Sequence, residues 1–276
     1  MEKYSVLMSL YQKEKPDYLM TALDSMIYQS VAPDEIVLVK DGPLTSELEN
    51  VLKDYKSKYN ELFTIVESKE NVGLGRALNL GLKYCKNELV ARMDTDDISS
   101  KDRCEQQLKM FDKNKSLDLV GGDITEFMDD EKNIKGKRVV PKTDAEIKNY
   151  IKRRCPFNHG TVMFKKSSVM NAGSYMDWFW NEDYYLWVRM LEDGCVFANT
   201  GTVLVNFRSG LDMYSRRGGK KYFKSESSLQ KYMLDKKIIS FPRYLINVTE
   251  RLIIQVLMPN KLRGFVFRKF ARVNNE

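Results

Sequence analysis

The chain has 276 residues, of which 43% are hydrophobic and 11% aromatic, and a formal net charge of +7. This apolar content suffices for a sizeable core, which excludes a disordered chain. Residues 216–276 hold 15 Lys and Arg against 4 Asp and Glu, a net +11, whereas the first 215 residues hold 30 basic and 34 acidic side chains, a net −4. The body and the basic tail therefore need separate interpretations.

The cysteines and the apolar segments limit the cellular setting. The four cysteines are widely spaced and form no Cys-x-x-Cys pair, so neither a zinc knuckle nor a disulfide framework is indicated. The N-terminus has only a short apolar run behind Glu2 and Lys3, which argues against a secretory signal. No uncharged apolar stretch reaches the roughly 18 residues of a membrane helix. We expect a cytoplasmic protein that is soluble or peripheral at the inner face of the cell membrane.

Strand and helix patterns alternate over the first hundred residues. Short apolar or β-branched runs predict buried strands, and segments with helical apolar spacing lie between them. This alternation predicts a mainly parallel sheet covered on both faces, with ligands at the carboxyl ends of its strands. The predicted strands are residues 4–10, 35–41, 63–68 and 88–94, and the predicted helices are residues 17–30, 46–59 and 75–86.

The second part of the body has a mixed pattern. No internal repeat or low-complexity segment is visible there, and "SGLDMYSRRGGKK" has the composition of a loop. A helix that begins with two acids and is followed by Gly194 is predicted before the last strand. In chain order, the pattern predicts a helix around 101–113, a strand at 117–129, a helix at 144–154, a strand at 159–166, a helix at 181–194 and a strand or hairpin at 197–208.

The stretch "MDTDD" (93–97) places three carboxylates directly after a predicted strand. Alternate side chains of an extended chain point the same way, so Asp94 and Asp96 are expected to face together and to suit a hard divalent cation. The alternative is a surface turn in which Asp97 or Ser99 caps the next helix. Spacing alone leaves both interpretations open.

Four other features have both a structural and a functional interpretation. "NVGLGRALNLG" (71–81) lacks the third glycine of a dinucleotide fingerprint and a Walker lysine, which favours a tight turn. Asp41 is either a turn former or a hydrogen-bond acceptor for a base or ribose. Glu182 and Asp183 either interact favourably with the positive end of a helix dipole or take part in the reaction. His159, the single histidine of the chain, lies beside Gly160 at the start of a predicted strand and has either a structural or a catalytic role.

Taken in order, these features resemble the family-two inverting glycosyltransferases with the GT-A fold. The resemblance covers roughly residues 4–210 and rests on "SVLMSLYQ", "DEIVLVKDG", "NVGLGRALNLGL", "MDTDD" and "NEDYYLWVRML". The usual aspartate pair of the second motif is Lys40-Asp41 here. The resemblance implies a Rossmann-like mixed, mainly parallel sheet flanked by helices. Its implied domains are a catalytic domain at 1–210, with a nucleotide-binding half at 1–100 and an acceptor half at 101–210, and a loop with a basic amphipathic helical tail at 211–276.

The resemblance also implies roles for individual residues. Asp183 is the expected catalytic base, with Glu182 as its neighbour or as an acceptor ligand. Asp96 is the expected ligand of Mg²⁺ or Mn²⁺, and Asp94 would contact the ribose or assist the metal. The implied nucleotide-sugar contacts are Leu10, Tyr11, Asp41, Asn71, Gly73, Arg76, Asp94 and Thr95, and the implied acceptor or diphosphate contacts are His159, Arg208 and Arg216.

The closest resemblance is to the bacterial subgroup that builds capsular, exopolysaccharide and O-antigen repeat units. It implies transfer of a hexose or N-acetylhexosamine from a nucleotide-diphosphate sugar, with a UDP-sugar as the expected donor, to a glycan or polyprenyl-linked acceptor. The alternatives are a sugar-nucleotide nucleotidyltransferase and a non-catalytic protein that binds a membrane or nucleic acid. Residues 9–16 lack the Gly-rich basic loop of a nucleotidyltransferase. The acidic body disfavours a nucleic-acid partner.

The basic tail contains a segment with amphipathic character, residues 241–272. Its apolar Leu245, Val248, Leu252 and Val256 fall near helical spacing among arginines and lysines. Such a helix attracts anionic lipids and buries its apolar face in the membrane interface. The alternative is that the apolar face packs on the catalytic body and the cations face water.

Overall fold

A computed structural model of the chain describes residues 2–128, 130–210 and 218–259. The predicted site residue Arg216 and residues 260–276 of the basic tail lie outside the described residues. Strands and helices alternate over residues 4–92, as the sequence predicts.

Within the described residues, nine strands form one mixed sheet in the order β3-β2-β1-β4-β8-β6-β9-β5, with β7 paired to β6. The first four strands in this order are parallel, and β8 is antiparallel to both of its neighbours. One sheet thus joins the two predicted halves of the body. The strands are β1 (Tyr4–Leu10), β2 (Glu35–Asp41), β3 (Phe63–Ser68), β4 (Leu89–Arg92), β5 (Ile98–Ser99), β6 (Leu117–Phe127), β7 (Ile134–Arg138), β8 (Met163–Lys165) and β9 (Val196–Arg208).

Helices cover both faces of the sheet. Because side chains alternate along a strand, β1 sends Leu7 into a core with α3 and α7, and Val6 and Met8 into a second core with α1, α2 and α4. The helices are α1 (Pro16–Ile27), α2 (Ser46–Lys58), α3 (Leu74–Leu82), α4 (Arg103–Lys113), α5 (Asp144–Tyr150), α6 (Lys166–Asn171), α7 (Glu182–Glu192), α8 (Lys220–Asp235) and α9 (Phe241–Arg251), followed by a π-helical turn (Leu252–Leu257).

Several elements differ from the sequence prediction. The helix predicted to end at residue 154 ends at Tyr150, after a start fixed by a capping box between Thr143 and Glu146. The strand predicted at 159–166 is a 3₁₀ turn (His159–Thr161) followed by the short strand β8. The sequence analysis did not predict β7, α6 or α8.

The loops after the parallel strands approach one another closely. Gly42, directly after β2, has a φ of +86°, and a Cβ atom there would lie 2.7 Å from the backbone nitrogen of Asn71, after β3. Only glycine combines this left-handed backbone with so close a backbone approach. The carboxyl ends of β2 and β3 are therefore held together, at the edge of the sheet where ligands are expected.

Helix α9 packs on the body with its polar face. Asn247 is fully buried and donates to the carbonyl of Lys152 at 2.8 Å and to Gln230 Oε1 of α8 at 2.7 Å. Arg251 pairs with Glu226 at 2.8 Å. The opposite face is apolar and exposed, with exposed fractions of 60% for Phe241, 48% for Leu245, 50% for Ile246, 38% for Leu252, 48% for Ile253 and 67% for Leu257.

This orientation bears on the two predictions for the tail. Of the four residues named from the sequence, Leu245 and Leu252 are exposed and Val248 and Val256 are partly buried, so the apolar face of the described part of the tail, residues 241–259, points mainly to the solvent. Across the described ranges, no helix is both long enough and apolar enough to span a membrane. The four cysteines are free thiols.

Candidate active site

The acidic turn after β4 begins with a buried ion pair. The guanidinium of Arg92 donates to both carboxylate oxygens of Asp94, and the Arg92 side chain is only 2% exposed. The two residues are two positions apart, so their side chains leave the extended chain on the same side. The sequence analysis missed Arg92, although a charged residue at the end of an apolar strand was a visible signal.

Asp97 is fully buried and takes part in the site rather than in helix capping. Its Oδ1 accepts from the backbone nitrogen of Arg208 at 2.8 Å, and its Oδ2 has no hydrogen-bond partner within the described residues. Helix α4 begins at Arg103 with Asp102 as its N-cap residue. The predicted capping of this helix by Asp97 or Ser99 is therefore wrong.

Carboxylates crowd around Asp96. Burial, followed by the charges of Asp94 and Glu14, raises the pKa of Asp96 to about 7. Burial, followed by the charges of Asp96 and Asp94, also raises the pKa of Asp97 well above its ordinary value. Like charges held this close favour proton uptake or a cation. One guanidinium, that of Arg92, does not neutralise the group.

These residues fit a hard divalent cation. A Cβ atom on Gly160 would lie 3.1 Å from Asp94 Oδ2 and 3.3 Å from Asp97 Oδ2, so the glycine leaves a cradle beside the acids. Across the described parts of the chain, no three His, Cys, Asp or Glu side chains are arranged as a complete metal cage. Mg²⁺ needs no such cage, because it is usually held by one or two carboxylates together with phosphate oxygens and water.

Arg208, at the end of β9, is fixed against the acidic turn. Its Nε donates to the carbonyl of Asp96 at 2.9 Å, and its guanidinium carbon lies 3.8 Å from the ring centroid of Tyr18. Phe127 contributes a second ring at 4.6 Å. The end of β9 and the acidic turn therefore form one unit.

Asp41 organises the loop that begins α3. Its Oδ1 accepts from the backbone nitrogen of Val72 at 2.7 Å, and its Oδ2 accepts from that of Gly73 at 3.1 Å. Gly73 has a φ of +87° and is the N-cap residue of α3. Asn71 donates to the Asp41 carbonyl at 3.3 Å. Both carboxylate oxygens of Asp41 are thus engaged with backbone amides.

Two further sequence-predicted residues lie inside the fold. Leu10 is fully buried in the core. Thr95 is 4% exposed, and its hydroxyl donates to Glu14 Oε2 at 3.0 Å. Neither these two nor Asp41 and Asn71 line the cavities described next.

A cavity of about 1380 Å³, the larger cavity, opens at the carboxyl edge of the sheet. It is bounded by the start of α3, the acidic turn, the start of α7 and the end of β9. Arg76 reaches it from α3 and forms an ion pair with Asp177. Eight of the sequence-predicted residues line this cavity, namely Tyr11, Gly73, Arg76, Asp96, His159, Glu182, Asp183 and Arg208.

A second cavity of about 600 Å³, the smaller cavity, is also lined by the start of α7, through Asn181, Asp183 and Tyr184. It extends from Asp94 and Asp97 to α9 and the following turn. His159 and Asp183 line both cavities. Asp183 therefore lies where the two cavities meet, within reach of a molecule in either one.

The two acids at the start of α7 differ in their surroundings. Burial, followed by the charge of Asp183, raises the pKa of Glu182 to about 7. Asp183 Oδ1 accepts from the backbone nitrogen of Tyr184 at 2.7 Å. Trp180, two residues before Glu182, has a φ of +57°, a strained conformation for a residue other than glycine. Strain of this kind persists only where the surrounding structure fixes the chain.

Helix α8 supplies that support. Ser225 Oγ donates to the carbonyl of Phe179 at 2.6 Å, and Asn181 Nδ2 donates to Ser225 Oγ at 3.1 Å. Asn181 is the N-cap residue of α7 and is buried. A helix that the sequence analysis missed thus positions the two acids.

His159 is held as a neutral side chain. Its Nε2 lies 2.8 Å from the hydroxyl of Tyr175. Burial, and to a smaller extent the charge of Arg92, lowers the pKa of His159 well below its ordinary value. The imidazole is therefore suited to hydrogen bonding and not to carrying positive charge.

The sheet order and this edge of the sheet define the class of protein. The described fold is similar to the crystal structure of S. aureus TarS 1-349 in complex with UDP-GlcNAc, with a TM-score of 0.64 over 91% of this chain and 72% of that chain at 16% identity. This chain spans 43% of a longer TarS chain. It is also similar to the mannosyltransferase PcManGT from Pyrobaculum calidifontis in complex with GDP-Man and Mn²⁺, with a TM-score of 0.63 over 99% and 76% of the two chains at 14% identity. The fold is that of a GT-A glycosyltransferase.

The sequence comparisons give the family. The model described as glycosyl transferase family 2 matches residues 5–179, and the chain belongs to this family. It is 38% identical over 273 residues, covering 98% of this chain and 97% of its relative, to the UDP-Gal:alpha-D-GlcNAc-diphosphoundecaprenol beta-1,3-galactosyltransferase of Escherichia coli. The predicted family, fold and glycosyltransferase activity are confirmed. The roles of individual site residues stay predictions.

Proposed function

We propose that the protein is a metal-dependent inverting glycosyltransferase that moves a hexose or N-acetylhexosamine from a UDP-sugar onto a lipid-linked sugar during synthesis of a bacterial surface polysaccharide. The position of Asp183 where the two cavities meet is the observation that carries this proposal. The name of the E. coli relative, which pairs a UDP-sugar with a sugar-diphosphate-lipid, supports the choice of substrates. Residues 1–100 then supply most donor contacts, and residues 101–210 most acceptor contacts.

The larger cavity is the proposed donor site. Tyr11, Gly73 and Arg76 surround the nucleotide sugar, and the first turn of α3 offers backbone amides to its phosphates. Asp96 would hold Mg²⁺ or Mn²⁺, with assistance from Asp94. A bound divalent cation neutralises the charge that develops on the departing diphosphate. Arg208, already fixed to the acidic turn, adds a cation at the same edge.

The smaller cavity is the proposed acceptor site. Asp183 takes the proton of the attacking hydroxyl as the new bond to the anomeric carbon forms, a contribution of about 10²–10⁴-fold in rate. The bond from that carbon to the diphosphate breaks on the opposite face, which inverts the configuration. Glu182 lines the larger cavity and not the smaller one, so it accepts a hydrogen bond from the acceptor only where the acceptor reaches the junction of the two, and the neutral His159 contacts the sugar there.

The apolar face of α9 is the proposed membrane contact. Six large apolar side chains are exposed along α9 and the following turn, while the polar face is used for packing on the body. The net charge of +11 over residues 216–276 favours anionic headgroups. An enzyme held at the surface this way would reach a lipid-linked sugar.

A panel of nucleotide sugars with and without Mn²⁺ tests this proposal. The expected result is thermal stabilisation by one UDP-sugar only when Mn²⁺ is present, and release of UDP that depends on a sugar-diphosphate-lipid acceptor. NMR of the product should show the inverted anomeric configuration. Diphosphate release from a nucleoside triphosphate and a sugar phosphate would support a nucleotidyltransferase instead. No stabilisation by any nucleotide sugar would overturn the proposal.

A further inference from the structure

The smaller cavity changes character along its length. At one end it contains Asp183 and His159, and at the other it reaches Ile254 on the turn after α9. The segment that follows α5 contributes the arginines Arg153 and Arg154 to its lining. A cavity of about 600 Å³ has the size usual for a small-molecule site.

Arg154 differs from the other arginines that line this cavity. Arg138 donates to Asn158 Oδ1 at 2.8 Å and to the carbonyl of Cys155 at 2.7 Å, and Arg251 pairs with Glu226. Within the described residues, no hydrogen bond or ion pair engages the side chain of Arg154. Arginine has five donors in a fixed planar fork, so an unengaged guanidinium in a cavity is suited to an anion.

Arg153 has only a weak partner. Its side chain is 61% exposed and lies 3.3 Å from a carboxylate oxygen of Glu250. An exposed ion pair of this kind contributes little free energy, so a stronger anion can replace Glu250. Of the two adjacent arginines, Arg154 has no side-chain partner within the described residues, and Arg153 can exchange Glu250 for a stronger anion.

The arginines line the same cavity as the proposed catalytic base, Asp183. A molecule that occupies this cavity can therefore contact Asp183 through one part and the arginines through another.

We infer that Arg154, assisted by Arg153, binds the diphosphate of a sugar-diphosphate-lipid acceptor in the smaller cavity. This inference rests on the proposed function and assigns the part of the site that it leaves open. The acceptor sugar lies at Asp183, its diphosphate meets the arginines, and its lipid leaves toward α9. The apolar side chains of α9 face outward at that end of the molecule, where a lipid chain needs apolar surroundings.

Two synthetic acceptors test the inference, one with GlcNAc linked through a diphosphate to a short alkyl chain and one with GlcNAc linked directly to the same chain. Removing charge-assisted hydrogen bonds costs about 1.5–3 kcal/mol, so Arg154→Gln should raise KM for the diphosphate acceptor by about 10–150-fold. The KM for the direct glycoside, the KM for the UDP-sugar and the kcat should change by less than about threefold. Arg154→Lys should restore part of the lost affinity, since it returns the charge without the planar fork.

Lys152→Gln is the matched control, because this neighbouring cation does not line the cavity. Unchanged KM for the diphosphate acceptor in Arg154→Gln would overturn the inference, as would an equal loss on both acceptors. Wild-type enzyme that transfers sugar to both acceptors, with no preference for the diphosphate, would overturn the inference and leave the proposed function standing. Wild-type enzyme that transfers sugar to neither would overturn the proposed function.

Discussion

The carboxylate of Asp94 accepts from two nitrogens of the same guanidinium, that of Arg92, which is almost wholly buried. The pair ties the acidic turn to the strand that precedes it. The charges of Asp94 and Glu14 still act on Asp96, and those of Asp96 and Asp94 act on Asp97, so both of these acids have mainly negative neighbours. In the proposed function, Asp96 holds the cation, whereas the pair of Arg92 and Asp94 fixes the turn.

Removing Arg92 should destabilise the protein strongly. Arg92→Met leaves Asp94 without its partner, and breaking a buried pair in this way costs about 3–5 kcal/mol. Urea unfolding followed by circular dichroism measures the loss. Lys115→Met is the control, because the ion pairs of this exposed lysine are expected to contribute less than about 1 kcal/mol. Equal losses in the two variants would contradict this account of the turn.

Asp96→Asn should remove the response to metal. Stabilisation by a ligand is about 2.7 kcal/mol at a concentration 100 times its Kd, so loss of the metal site is measurable as a lost shift in melting temperature. Differential scanning fluorimetry with Mn²⁺ and UDP is the assay. Asp102→Asn, an exposed change before α4, should respond like the wild type. A full metal response in Asp96→Asn would place the cation elsewhere.

Ionisation of Glu182 should make kcat/KM depend on pH near neutrality. Its pKa is raised to about 7 by burial and by Asp183, so its carboxylate becomes protonated as the pH falls through that value. A protonated Glu182 no longer accepts a hydrogen bond from the acceptor in the same way, and kcat/KM should fall. Glu182→Gln should be slower and lack this pH dependence. If kcat/KM of Glu182→Gln fell over the same pH range, the ionisation would belong to another group.

Glu182 should also make the stability of the protein depend on pH. The carboxyl titrates near 4.5 in the unfolded chain and near 7 in the folded protein, so the folded state binds more protons between these values. Its contribution to the free energy of unfolding therefore decreases as the pH rises from about 4.5 to 7. Glu182→Gln should gain stability relative to wild type at pH 8 but not at pH 4. Urea unfolding at both values measures the difference, and an equal gain at both would contradict it.

The exposed face of α9 should bind anionic vesicles. Leu245 and Ile253 are each about half exposed, and each apolar side chain buried in an interface contributes about 1.5–3 kcal/mol. The double variant Leu245→Glu, Ile253→Glu should therefore bind phosphatidylglycerol vesicles at least about tenfold more weakly in a flotation assay. Ser228→Glu, which adds a carboxylate to the exposed side of α8, is the control. Undiminished binding by the double variant would exclude this face.

The sequence predicts which edge of the sheet holds the site because strand ends report position, although only Tyr11, Gly73 and Arg76 of the eight implied nucleotide-sugar contacts line the larger cavity. Runs that end in Asp41, Asn71 and Asp94 belong to parallel strands, and their carboxyl ends must share an edge. Residues such as Gly73, Asp96 and Asp183 indeed lie there. The pattern does not show which groups these carboxylates bind. Asp41 accepts hydrogen bonds from two backbone amides, and Asp94 pairs with Arg92.

The C-terminal helices were harder to predict for a physical reason. Hydrophobic periodicity locates the face of a helix that leaves water, yet α9 and the turn after it bury Asn247, Arg251 and Gln255 and expose most of their leucines and isoleucines. The buried face of α8 likewise includes Ser225 and Gln230. Polar side chains can be buried when hydrogen bonds satisfy them, and such a face has no apolar pattern to detect. Only the packing shows which face of α9 points outward.

The central claim is that Asp183 is the base at the meeting point of the donor and acceptor cavities. The most direct measurement is kcat for sugar transfer from the UDP-sugar to the GlcNAc-diphosphate-alkyl acceptor by Asp183→Asn, Glu182→Gln and the control Asp193→Asn at the other end of α7. The account predicts a loss of about 10²–10⁴-fold in Asp183→Asn with UDP-sugar binding retained, a smaller loss in Glu182→Gln and no loss in Asp193→Asn. Near wild-type transfer by Asp183→Asn together with an abolished rate in Glu182→Gln would contradict it.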